Sequence, residues 1–525
     1  MAKSLMIQGT GSGVGKSLIV SGLCRIFSDM GIRVAPFKSQ NMALNSFITG
    51  DGGEIGRAQA LQAEAARVVP SVDMNPILLK ASGEAGCQVI LNGRVHSNMK
   101  ANEYYEFKNE AWDAVTKAYE RLSKKYDLIV IEGAGSPAEI NLSKDEVVNM
   151  RVARHTKSPV ILVGDIDKGG VFAAFCGTIE LLKNPSSSPF TKGGMGGLCD
   201  ADYIKAFIIN KFRGDMNILK PGLEMIRERT GRPVLGVIPY LGDLGLHEED
   251  GVPIERLKQF KPFERFKPLR IVVLRLRYIS NFTDFDPFMY EPDVELIYSL
   301  REDDIENADL LVIPGSKNTV KDLFFLKEYG IEQSIKRAAG KGIPLIGVCG
   351  GYQMLGKKIY DIHRIESEYM EIDGLGLLDI ETTFEKIKTT CQVEAEIQNT
   401  EYRIQNKDKK NPDSGLWGLG SVLKGYEIHM GKTTGNVGLF RINRSSGFVL
   451  DGSRKENVWG TYIHGIFDND IFRRGLINSL RLKKGLRPIE ETIDFSRLRD
   501  DSLDRWAGII RDSVDMKFIE ELINA

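Results

Sequence analysis

Leu5-Met6-Ile7-Gln8-Gly9-Thr10-Gly11-Ser12-Gly13-Val14-Gly15-Lys16-Ser17 is the stretch on which the fold turns. Its first four residues read as a short buried strand. Behind the glycines, Leu18, Ile19, Leu23, Ile26 and Phe27 repeat at helical spacing. Strand, glycine-rich loop, Lys-Ser and helix form the context that a phosphate-binding loop requires. Backbone N–H groups of Thr10, Gly11, Ser12, Gly13, Val14 and Gly15 surround the phosphates, Lys16 neutralises charge, and the Ser17 hydroxyl reaches Mg2+. The strict pattern G-x-x-x-x-G-K-[ST] is missed at one place, since Thr10 stands where the first glycine belongs and Gly9 precedes it. The competing reading is a glycine-rich turn with an accidental Lys-Ser.

Outward from this loop, short apolar strands alternate with helical patterns, the mark of a doubly wound parallel sheet. Runs at 32–38, 128–135, 160–165, 206–211 and 234–239 are nearly all apolar and end in a polar residue or glycine. That is expected of strands buried on both faces, with ligands bound at their C-terminal edge. A charged, proline-marked stretch at 247–268 reads as a linker, and 183–197 as a surface excursion. A second α/β series starts at Leu269 and includes 269–274, 310–315 and the apolar run before Gly347. The polar insert 405–414 reads as a loop. The expected division is 1–246, linker 247–268, 269–474 and a basic helical tail 475–525.

The second series carries Gly347-Val348-Cys349-Gly350-Gly351 directly after Ile343-Pro344-Leu345-Ile346. This fits the nucleophile elbow G-x-Nuc-x-G, in which glycines let the chain turn so sharply that the nucleophile projects above the sheet. A helix starting at once behind it favours a thiolate there. About 115 residues later, Trp459-Gly460-Thr461-Tyr462-Ile463-His464-Gly465 delivers a histidine on another strand-like run. Cysteine and histidine on separate strand ends are the minimum set for acyl transfer through a thioester. His429, in Tyr426-Glu427-Ile428-His429, competes for the role of base; alternation puts Glu427 and His429 on one face. Backbone N–H groups near Gly350 and Gly315 are the expected oxyanion donors.

Several polar residues close apolar strands. Glu132 ends Leu128-Ile129-Val130-Ile131, where a buried carboxylate is expensive without a cation. It reads as a metal or nucleotide contact, or as a cap of the following turn. Asp51, in Gly50-Asp51-Gly52, is a second metal candidate or a plain Asp-Gly turn. Lys38 follows Pro36-Phe37 at a strand tip and suits a transferring phosphoryl group. Asn210 ends another strand and reads as an adenine contact or a helix cap.

Bulk composition is that of a large globular chain. There are 70 basic and 71 acidic side chains in 525 residues, a formal net charge of −1, so no global field draws nucleic acid or an anionic membrane. The six cysteines are scattered without a C-x-x-C pair, which points to reduced thiols and a cytoplasmic setting. The N-terminus opens directly into the first strand, so no signal peptide is expected, and no run approaches the length of a membrane span.

Pro36-Phe37-Lys38-Ser39-Gln40-Asn41-Met42, Gly53-Glu54-Ile55-Gly56-Arg57-Ala58-Gln59, Gly164-Asp165-Ile166-Asp167-Lys168-Gly169-Gly170-Val171-Phe172 and Gly425-Tyr426-Glu427-Ile428-His429 together resemble runs of the cobyric acid synthase family, across nearly the full chain. The resemblance implies an N-terminal half similar to the dethiobiotin synthetase group, with ATP and Mg2+ as cofactors and carboxylates at Glu132 and Asp51, with Ser17, on the metal. It implies a C-terminal half similar to class I glutamine amidotransferases, with Cys349 and His464 acting on glutamine. The acceptor so implied is adenosylcobyrinic acid a,c-diamide, a corrinoid amidated on four carboxylates. Many class I members place a glutamate two residues after the histidine; Ile466 stands there, and Glu427 is a possible substitute. The rivals are the sister family that makes the a,c-diamide, CTP synthase, and a P-loop switch ATPase with an inert glutaminase-like domain.

Overall fold

The architecture comes from a computed structural model that describes residues 2–81, 86–141, 146–183, 199–242, 244–246, 268–398, 422–444 and 447–525. The expected linker (247–267 of it), the excursion from 184 on and the insert 405–414 lie outside the described residues. The chain forms two compact units. The first is built from Met1–Ala43, Gly53–Val252 and Leu498–Ala525, the second from Leu44–Gly52 and Pro253–Arg497.

The first unit is organised on a six-stranded sheet. Its order is Val234–Pro239, Ile204–Phe212, Val160–Asp165, Lys3–Gly9, Leu128–Glu132, Val34–Phe37, and every pairing is parallel. Side chains alternate across the pleat, so each strand feeds two cores. Met6, Ile129, Ile131 and Leu162 enter one cluster, while Leu5, Ile7, Val130, Ile161 and Val163 enter the other. Two-sided burial explains why these strands read as unbroken apolar runs. Helix Lys16–Asp29 covers the second face, together with Trp506, Ile510, Val514 and Ile519 from the end of the chain. The fit is close: a Cβ on Gly22 would lie 2.3 Å from Ile510 Cδ1. Arg25, fully buried on this helix, is compensated by Asp500 and by Asp504 at 2.7 Å. An antiparallel sheet of Ile77–Ala81, Gly86–Leu91 and Arg94–Lys100, with Gln40–Met42 at its edge, completes the unit.

The second unit repeats the logic. Its sheet runs Val294–Ser299, Leu269–Leu274, Leu310–Ile313, Leu345–Val348, Val458–Thr461, Ser453–Lys455, parallel except for the last edge strand. A second sheet is dominated by the long antiparallel pair Ile380–Ile397 and Leu423–Gly435. The fold class is therefore α/β, a doubly wound P-loop sheet followed by a second α/β unit, as the sequence implies. The described helices contain none long and apolar enough to cross a membrane.

Candidate functional site

In the first unit, the loop from Gly9 to Ser17 leaves the C-terminal end of the central strand and enters helix Lys16–Asp29 through Gly15. Gly15 has φ 95°, and a Cβ there would lie 2.2 Å from Asn210 Nδ2, so only glycine fits. Asn210 itself donates to Val14 O at 2.9 Å and accepts from Lys211 N–H at 2.9 Å. The structure thus brings Asn210 to the phosphate loop, with its amide spent on shaping that loop. Lys16 Nζ donates to Gly11 O at 2.8 Å and Lys211 Nζ to Gly13 O at 2.8 Å. Lys168 Nζ lies beside Gly13, 3.8 Å from where its Cβ would be. Three cationic tips thus gather on one glycine-rich loop, a field suited to a polyphosphate.

Glu132, fully buried at the end of the neighbouring strand, is the hub of this site. Its Oε1 accepts from Ser17 Oγ at 2.8 Å and pairs with Lys38 Nζ at 2.7 Å, and its Oε2 accepts from Gln62 Nε2 at 2.5 Å. Burial alone pushes such a carboxyl up; Lys38 and the bonds from Gln62 and Ser17 outweigh it and hold Glu132 below the usual range. Ser17 and Glu132 present oxygen atoms of the kind a divalent cation takes, and Gln62 Oε1 beside them is buried without a hydrogen-bond partner among the described residues. Among the described residues no group of three or more His, Cys, Asp or Glu is placed to hold a metal. The hydroxyl of Ser17 and the carboxylate of Glu132 fit an ion whose other positions phosphate and water oxygens would fill. Asp51 falls in the other unit, where Thr49 Oγ1 donates to it.

In the second unit, the strand Leu345–Val348 ends at Cys349, whose φ of 51° and ψ of −106° are a strained pairing for a residue with a Cβ. Helix Gly350–Leu355 starts at once. A Cβ on Gly351 would lie 2.0 Å from Ile313 O, which is why a glycine must follow the elbow. One on Gly350 would lie 2.8 Å from Ser316 N, and one on Gly315 3.4 Å from His464 Cε1. The two expected oxyanion segments therefore flank the cysteine and the histidine.

His464 follows strand Val458–Thr461 through a turn fixed by Asp451. Tyr462 N–H donates to that carboxylate at 3.1 Å and Ile463 N–H to Thr461 Oγ1 at 3.1 Å. His464 Nδ1 meets Asp284 Oδ2 at 2.6 Å, both groups being buried. Burial opposes charge on this ring, but Asp284 and the hydrogen-bonded Cys349 raise its pKa to about 10. Cys349, His464 and Asp284 are thus brought together.

Asp284 is the residue that sequence reasoning missed. It sits in the 3-10 turn Phe282–Phe285, beyond the C-terminal end of Leu269–Leu274, the edge where polar residues merit attention. Glu427, considered for the orienting role, is engaged elsewhere. Arg444 donates to it twice at 2.7 Å and His429 Nε2 lies 3.2 Å away, which hold it at about 2 against its burial. His429 has its other nitrogen 2.8 Å from Gly431 O and stacks on Tyr462, centroids 3.8 Å apart. Cys349 Sγ faces Ile428 O at 3.6 Å. Of the two candidate histidines, His464 is the one paired with Asp284.

Comparison with known proteins agrees with both halves. Residues 5–254 match the CobQ/CobB/MinD/ParA nucleotide binding domain, and residues 270–472 the CobB/CobQ-like glutamine amidotransferase domain. The cobyric acid synthase of Thermodesulfovibrio yellowstonii is 48% identical over 99% of this chain and 99% of its own length. Those of Caldanaerobacter subterraneus and Dehalococcoides mccartyi are each 46% identical, over 100% of this chain and 99% of theirs. The chain belongs to the cobyric acid synthase family. Cobyric acid synthases are glutamine amidotransferases and ligases of cobalamin biosynthesis, and the two units described above are their nucleotide-binding and glutaminase parts.

Proposed function

We propose that this chain amidates the b, d, e and g carboxylates of adenosylcobyrinic acid a,c-diamide through acyl phosphates, using ATP and ammonia released from glutamine by Cys349. The observation that carries the reading is the Cys349–His464–Asp284 constellation on a chain whose other unit holds a polyphosphate-ready loop around Lys16 and Glu132.

The chemistry follows from the groups present. A carboxylate resists ammonia because its carbonyl carbon is electron-rich and oxide cannot leave; phosphorylation by ATP supplies a leaving group. Lys16 and Lys38 would offset charge on a transferring phosphoryl group. Thr10 to Gly15 would cradle the phosphates, and Ser17 and Glu132 would hold Mg2+, which supplies further charge neutralisation when bound. Asn210 shapes this loop.

At the second site, the Cys349 thiolate attacks the glutamine amide carbon. Backbone N–H groups near Gly350 and Gly315 stabilise the oxyanion, a contribution of about 3 kcal/mol per donor. His464, charged by its partnership with Asp284, gives its proton to the departing ammonia, then takes one from the water that cleaves the thioester. The free thiols of all six cysteines fit a reducing, cytoplasmic setting.

The test is mass spectrometry of cobyrinic acid a,c-diamide incubated with ATP and either glutamine or ammonia. The native enzyme should add four amides in succession with either nitrogen source, and Cys349→Ala only with ammonia. An unchanged corrinoid mass with native enzyme, or glutamine-driven amidation by the variant, would overturn the proposal.

A further inference from the structure

The segment Leu44–Gly52 lies between two stretches of the nucleotide-binding unit, yet it packs as part of the glutaminase unit. Its contacts are concentrated on the residues that surround His464. Asn45 Oδ1 accepts from Phe282 N–H at 3.2 Å, at the start of the 3-10 turn that carries Asp284. Ser46 N–H donates to Asn281 Oδ1 at 2.9 Å, and the Nδ2 of the same Asn281 lies 3.5 Å from both ring nitrogens of His464. Ser46 O accepts from Tyr426 OH at 3.2 Å. Tyr426 stacks on the His464 ring at 5.3 Å and 18°, and exchanges backbone hydrogen bonds with it at 3.1 and 2.8 Å. Asn45, Ser46 and Ile48 are all buried, and Ile48 packs with Tyr426 and Ile428.

The strap therefore grips the imidazole's surroundings from two sides: the Asn281–Asp284 turn and the Tyr426 ring. Asn281 adopts φ 51°, a left-handed conformation that asparagine tolerates, and the Ser46 N–H fixes its side-chain oxygen. The region matched by the amidotransferase model, residues 270–472, does not contain the strap. A stretch of chain belonging by sequence to the other half completes the glutaminase.

We propose that Leu44–Gly52 is a positioning strap for the glutaminase base, with Asn45 and Ser46 holding Asp284 and Tyr426 against His464. This rests on the reading of Cys349 and His464 as the glutaminase pair. The roots of the strap add a reason for the arrangement. Lys38 stands just before it, and Gln59 and Gln62 just after it, and all three contact Glu132. The strap is thus continuous in sequence with residues that contact the phosphate-site acid.

The experiment compares Asn45→Ala and Asn45→Asp with native enzyme in the full-length chain. Glutamate release reads the strap, independently of any corrinoid chemistry; ammonia-driven amidation reads the other site. Asn45→Ala should lose at least tenfold in kcat for glutamine hydrolysis with KM within threefold, and its alkaline pH limb should move toward neutrality. Asn45→Asp keeps the acceptor for Phe282 N–H and should restore most of the rate. Ammonia-driven amidation should stay within twofold. Unchanged glutamate release in Asn45→Ala overturns the inference. So does a fall with an unmoved pH limb and no recovery in Asn45→Asp, and so does an equal fall in the ammonia-driven reaction.

Discussion

Replacing Asp284 by Asn tests whether the charge on His464 is set by its buried partner. The substitution keeps volume and removes one charge 2.6 Å from Nδ1. At an effective dielectric of about 20, two unit charges at that separation attract by roughly 6 kcal/mol, before the cost of burying them. The net outcome is a ring raised from 6.5 to about 10, or about 5 kcal/mol of preference for imidazolium at roughly 1.36 kcal/mol per unit. Asp284 and Cys349 share that preference, with Asp284 the larger contributor. Its loss should lower the barrier-relevant stabilisation by about 3 kcal/mol, which is on the order of a hundredfold in kcat. The sign with pH is set by the raised value. Charge on His464, and the stability it brings, is fully present below pH 6.5 and is lost as pH rises through about 10. In Asp284→Asn the alkaline limb of glutamine hydrolysis should move down toward neutral pH, while ammonia-driven amidation is retained. Glutamate release within threefold of native, with the limb unmoved, would refute the assignment of Asp284.

Two further outcomes follow from the same geometry. Cys349 carries a Cβ at φ 51° and ψ −106°, a conformation costing about 1–3 kcal/mol, so Cys349→Gly should unfold in urea at higher midpoint than Cys349→Ala. The difference expected is about 1 kcal/mol once the extra freedom of glycine in the unfolded chain is subtracted, and equal midpoints would deny the strain. Glu132→Gln leaves Lys38 buried opposite a neutral amide, and should cost about 3 kcal/mol of stability and abolish amidation from either nitrogen source, with glutamate release still measurable. Retained amidation in that variant would remove Glu132 from the phosphate site.

The two parallel sheets are legible because burial on both faces leaves a continuous apolar signal. Val234–Pro239 and Leu269–Leu274 fall at the positions their apolar runs suggest. The antiparallel sheets are not legible in that way. Ile380–Ile397 carries Glu381, Glu385, Lys386, Lys388, Glu394 and Glu396, since much of it faces solvent, and so it reads as polar. Asn92-Gly93, with φ 48° and 78°, joins Gly86–Leu91 to Arg94–Lys100, and an Asn-Gly pair is a strong mark of a two-residue hairpin turn.

The site divides along a similar line. Residues tied to their neighbours by backbone geometry can be found from sequence: the Gly15-Lys16-Ser17 entry to a helix and the glycine-framed Cys349 each carry their structural reason in adjacent positions. Residues brought in across the fold cannot. Asp284 lies 180 positions before His464, and Gln62 70 positions before Glu132, and no local pattern links either pair. Glu427 illustrates the same difficulty. Alternation correctly sets it on the face of His429, but the deciding partner is Arg444, which arrives from the strand Phe440–Arg444. Glu427 is paired twice by the Arg444 guanidinium and faces His429, whereas Asp284 gives its oxygens to the His464 ring and the Gly465 N–H. Which partner each acid meets is therefore a fact of tertiary placement rather than of spacing along the chain.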